Sequence, residues 1–125
     1  MTKLYILAFA ATALASFVGV AAADPYPVAG TWTYEHASEP GRAKTCTGRI
    51  MEFRGEQRFD TGGGVRQLRN VSVNRTSQTQ FAVIDEFFNV QIRGRVPYML
   101  RVIDGDHIEL HLEQGGAVIP LRRCG

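Results

Sequence analysis

Lysine is almost missing from this 125-residue chain. After residue 23 there is one, Lys44, beside twelve arginines. Those thirteen bases face twelve acids and are interleaved with them, so no charge of one sign builds up. That excludes the basic stripe of a nucleic-acid binder. Cysteine is scarce too. Metal ligation by Cys46 and Cys124 is the weaker reading, because structural zinc sites want four ligands at short spacings, and neither belongs to a Cys-x-x-Cys redox pair. No apolar run after residue 23 is long enough to span a membrane. There is no Gly-x-Ser-x-Gly elbow, no phosphate-cradling loop and no His-Glu-x-x-His helix motif. Enzymatic activity is therefore not expected, and no cofactor is implied.

The long apolar run that does occur comes first. Lys3 precedes residues 4–20, which are almost wholly apolar, and Ala21-Ala22-Ala23 then leads into Asp24-Pro25. That order matches a secretory signal peptide over residues 1–23. The expectation is export to the periplasm or beyond. In an oxidising compartment an even pair of cysteines favours a bridge, here Cys46–Cys124. Residues 24–29 form a proline-rich tail and 30–125 a single small domain.

The domain reads as all-β. Residues 106–113 alternate strictly, with Ile108, Leu110 and Leu112 on one face and His107, Glu109, His111 and Glu113 on the other. Asp104-Gly105 ahead of them is a hairpin signal, joining 97–103 to this strand. Gln114-Gly115-Gly116 turns the chain into 117–123, which completes a C-terminal meander. Pro120 marks an edge or a bulge in the last strand. Further strands are expected near 30–36, 44–54, 65–75, 79–85 and 87–93. A bend at Asp85-Glu86 would reconcile the apolar parity on either side. About eight strands in so short a domain hide their edges best as a small antiparallel up-and-down barrel.

Gly30-Thr31-Trp32 at the start of the first strand resembles the Gly-x-Trp signature of lipocalins and their calycin relatives. The resemblance implies a barrel with Trp32 on its floor, Gly30 before it, and Arg122 or Arg123 across it as a cation–π lid. It also implies a disulfide tying the C-terminal segment to an earlier part of the chain. The function implied is non-enzymatic binding of a small apolar ligand or a protein partner. Trp32, Tyr34, Phe53, Phe81, Tyr98 and Leu100 are the candidate lining residues, with Val83 and Val102 also inward. Ala29-Gly30-Thr31-Trp32 is similar as well to the small periplasmic inhibitors of secreted metalloproteases. On that reading Asp24, Pro25, Tyr26 and Pro27 would enter a protease cleft. A third reading is a structural, envelope-associated protein. His107, Glu109 and His111 share a face and could approach one metal ion. The same alternation makes a solvated strand face, and that is the preferred reading.

Overall fold

The computed structural model describes residues 25–125. The signal-peptide reading of residues 1–23, and Asp24 of the tail, lie outside them. Eight strands run in chain order: β1 (Gly30–Thr33), β2 (Ile50–Arg54), β3 (Gln57–Asp60), β4 (Gln67–Arg75), β5 (Gln80–Phe88), β6 (Arg93–Asp104), β7 (His107–Leu112) and β8 (Val118–Arg123). Each pairs antiparallel with the next, and β8 returns to β1, so the sheet is a closed up-and-down barrel. No helix among the described residues is long and apolar enough to cross a membrane.

Side-chain parity builds the interior. Phe81 pairs with Leu100 and Val83 with Tyr98 across β5–β6. Leu100 pairs with Leu110, and Leu110 with Ile119, so one apolar layer passes across four strands. Trp32, Met51, Phe53, Ile108 and Leu121 complete the core.

Three strand expectations change. The segment 44–54 contains strand only from Ile50, and β3 follows it after a tight turn. β3 escaped notice because its inward residues are Arg58 and Asp60, both buried, while Phe59 points outward. The segments 79–85 and 87–93 are not two strands around a bend. β5 runs straight from Gln80 to Phe88, with Asp85 inward between Val83 and Phe87. The register shift lies instead on its partner β4, between Asn70 and Ser72. Pro120 pairs with Glu109 in the β7–β8 ladder. It sits beyond the short stretch of β8 that reaches β1, so its missing N–H interrupts no pairing there.

The seam that closes the barrel is thin. β1 meets β8 at only two register pairs, Trp32 with Arg123 and Thr33 with Arg122. Other contacts reinforce it. Cys46 and Cys124 form a disulfide with Cα atoms 5.2 Å apart, and the Cys124 N–H donates to Thr31 O at 3.0 Å. Arg122 donates to the carbonyls of Gly41 and Pro40 and pairs with Glu39, which holds the long β1–β2 connection against the outside of the barrel. A disulfide is compatible with an oxidising extracellular compartment.

Candidate functional site

At one end the barrel is closed by aromatic packing. The Arg123 guanidinium lies 4.4 Å from the centroid of the Trp32 ring and donates to Ala29 O at 3.1 Å. Gly30 makes room for it. Its φ is 90°, and a Cβ there would sit 3.3 Å from Arg123 Nη1. Tyr26 enters the same interior from the N-terminal side, 3% exposed, and packs edge-on to Phe53 at 5.0 Å. Residues 25–29 are irregular, yet this tail is not the free segment that cleft insertion requires. Tyr26 is part of the core.

The centre of the barrel is polar. Asp85, 0% exposed, accepts hydrogen bonds from Tyr26 Oη (2.9 Å), Tyr98 Oη (2.8 Å), Arg58 Nε (2.8 Å) and Asn70 Nδ2 (3.3 Å). Arg58 stacks 5.0 Å over the Tyr98 ring and approaches Asp60 at 3.6 Å. Asp60 in turn takes two bonds from Arg49, at 2.9 and 2.7 Å. No buried side-chain nitrogen or oxygen among the described residues lacks a partner. Such full satisfaction is what makes a buried charged network tolerable. Burial and the Asp85 charge push the Tyr26 hydroxyl far above the usual phenol range, and burial does the same to Tyr98. Burial opposes the Arg58 charge, but the carboxylate of Asp85, hydrogen-bonded to Nε, outweighs it and raises the guanidinium pKa. Burial likewise opposes the Asp60 charge, yet the Arg49 bonds and the Gly62 N–H keep its carboxyl below the ordinary range.

Above this network the opposite end is open. A cavity of about 220 Å³ is walled by Val65, Leu68, Val96, Leu112 and Ile119 and floored by Arg49, Arg58 and Asp60, with Gly63 and Gly64 at its lip. Arg58 spends Nε and Nη1 on Asp85, Asp60 and the Met51 sulfur, and Arg49 spends Nε and Nη2 on Asp60. Nη2 of Arg58 and Nη1 of Arg49 take no part in these bonds. Phe87 leans over Gly94 at the same rim, in a contact that leaves no room for a Cβ. Three hollows are larger: two, of about 410 and 520 Å³, are lined in part by the β1–β2 connection, and a third, of about 340 Å³, by residues of β3, β4 and β5.

Five of the six expected lining residues face inward as expected, and Tyr34 does not. Trp32, Phe53, Tyr98 and Leu100 are buried and fill the barrel, and Phe81 is half-buried on the inner face. The Tyr98 hydroxyl is bonded to Asp85 rather than offered to a ligand. Tyr34 lies beyond the end of β1 and is 47% exposed, so it lines nothing. The strand leaves the barrel wall at Thr33, whose hydroxyl donates to Thr47 O in the β1–β2 connection. His107 directs Nδ1 to Asp104 (2.8 Å) and Nε2 to Glu39 O (2.6 Å), while His111 contacts Glu109 at 3.2 Å. With both ring nitrogens of His107 engaged, His107, Glu109 and His111 do not converge. No three metal-ligating side chains among the described residues group around one point. The residues missed were Arg49, Arg58, Asp60 and Asp85. The available signal was the two-residue spacing of Arg58 and Asp60, which puts both on one strand face.

No protein-family model matches this chain, and neither a curated protein nor a solved structure matches it.

Proposed function

We propose that this protein is an exported, non-enzymatic binding barrel of lipocalin-like architecture. Its ligand is a small amphiphile held at the open end. The supporting observation is the mouth cavity itself, an apolar collar above a charged floor. Ligand pockets of drug-sized molecules span roughly 300–1,000 Å³, so a cavity of about 220 Å³ suits a short apolar body. A carbonyl or anionic head on that body would meet the arginine donors that the network leaves over. The titratable groups at the floor are tied into ion pairs, which suits holding a ligand better than moving protons. Export is supported by the signal-like order of residues 1–23 and by the disulfide.

Native mass spectrometry of protein purified from an exporting host tests this directly. The expected result is a discrete mass increment that Leu112→Trp, which fills the mouth, removes. A wild-type protein that carries no increment and binds no short-chain amphiphile in titration would overturn the reading.

A further inference from the structure

The β5–β6 hairpin ends in an apolar tip. Phe88, Val90 and Ile92 are 64, 96 and 61% exposed, and they fall within five consecutive residues. Exposed apolar side chains scattered singly need no explanation, but a cluster on a projecting turn does. Between Phe87 and Ile92 the other residues are Asn89 and Gln91, with no carboxylate. Cations stand just behind the tip. Arg93 stacks 5.0 Å from the Phe88 ring, Arg95 follows on the same outer face, and Arg66 precedes Gln67, which shares a groove with Phe88. The nearest acid, Glu86, is largely covered and pairs with Arg93 at 3.5 Å.

We propose that this hairpin docks the barrel onto an anionic lipid bilayer. The apolar tip enters the boundary between headgroups and acyl chains, and the arginines lie at phosphate depth. Long basic side chains suit that position, because their stems bury while their charged ends reach the headgroups. Anionic lipid attracts such a cationic ring over about a Debye length. In an up-and-down barrel the β3–β4, β5–β6 and β7–β8 connections share one end. The tip therefore projects from the same end as the mouth cavity, so docking would set the mouth against the lipid. The docking itself does not depend on the mouth holding a ligand.

Co-sedimentation with unilamellar vesicles tests the proposal. The wild-type protein is expected to bind vesicles of mixed phosphatidylglycerol and phosphatidylcholine, to bind pure phosphatidylcholine more weakly, and to lose binding as salt rises. The combined Phe88→Ser, Val90→Ser and Ile92→Ser variant should bind at least about tenfold more weakly, with the near-ultraviolet signal of Trp32 unchanged. Arg93→Gln with Arg95→Gln should weaken binding to the anionic vesicles alone. Leu112→Trp, which blocks the mouth, should leave vesicle binding intact, so this proposal can fail separately from the ligand reading. No wild-type binding to the anionic vesicles, or equal binding by the triple serine variant, would overturn it. A concentration-dependent dimer that the serine variant abolishes, without vesicle binding, would also overturn it and assign the tip to a second copy of the chain.

Discussion

The hydroxyl of Tyr26 donates to Asp85 Oδ1 at 2.9 Å, so a residue ahead of the first strand satisfies a carboxylate in the middle of the fifth. The bond spans 59 positions of sequence. It makes the N-terminal segment a plug. Tyr26→Phe should cost about 1.5–3 kcal/mol, the usual scale for a hydrogen bond to a charged group. Tyr26→Ala also loses the packing on Phe53 and should cost about 3–5 kcal/mol. A chain beginning at Val28 should be destabilised in the same way. Urea unfolding followed by Trp32 fluorescence measures all three. A truncated chain as stable as the full one would mean that the tail is dispensable.

Asp85 is also the partner that keeps Arg58 neutralised inside the barrel. Asp85→Ala would leave a buried guanidinium facing two tyrosines and Asp60. Breaking one side of such a pair costs about 3–5 kcal/mol. Removing both sides together, with Arg58→Met and Asp85→Leu, should cost less than the sum of the single changes. The double-mutant cycle should return a coupling of at least about 1 kcal/mol. A simple sum within error would refute the interdependence.

How much could be read in the sequence depended on whether each strand's inner face was apolar. Ile108, Leu110 and Leu112 give β7 a clean alternation, and the strand stands where that pattern put it. β5 carries the same inward alternation, but one of its inward residues is Asp85. An aspartate beside a glutamate reads as a turn until Tyr26, Arg58 and Tyr98 are known to surround it. β3 was invisible for the same reason, since its two buried side chains are charged. Tyr26 sits between two prolines, which locally indicate an extended tail, and only the fold brings it to Phe53. The closed fold and the disulfide were legible from local periodicity and residue chemistry. The interior network was not, because each of its members becomes favourable only through partners distant in sequence.

His107 should make the protein's stability depend on pH above the ordinary histidine range. Its two ring nitrogens face two acceptors, the Asp104 carboxylate and the Glu39 carbonyl, and Asp106 adds negative charge nearby. The Asp104 and Glu39 bonds favour the imidazolium and raise its pKa above the ordinary value near 6.5. A raised folded-state pKa means the contribution is complete below the unfolded value and is lost as pH climbs through the folded one. The segment 37–41 should therefore exchange its amide protons faster, relative to the rest of the chain, once His107 deprotonates. Histidine NMR titration with hydrogen exchange from about pH 6 to about pH 9 checks this. A His107 that titrates below the unfolded value would sink it, as would His107→Gln showing the same pH dependence.

The two-pair seam between β1 and β8 should be the first part of the barrel to open. Long ladders such as β5–β6, paired from Gln80 to Phe88, must break as a unit, whereas β1 has register pairs with β8 only at Trp32 and Thr33. The disulfide compensates by tying Cys124, just past the seam, to Cys46 in the connection that leaves β1. Its 78-residue separation means that reduction frees almost the whole domain in the unfolded state. A native disulfide of this kind contributes about 2–4 kcal/mol. Changing both cysteines to serine should lower the urea midpoint accordingly. The loss should be local before it is global: amides at the seam, such as that of Cys124, which donates to Thr31 O, should lose protection while those of Val83 and Leu100 keep theirs. Arg123→Ala should weaken the same amides, because its guanidinium joins the Trp32 ring to Ala29 O and Gly105 O. Uniform loss of protection across the barrel would contradict this order of opening, and two titratable thiols in unreduced protein from an exporting host would remove its cause.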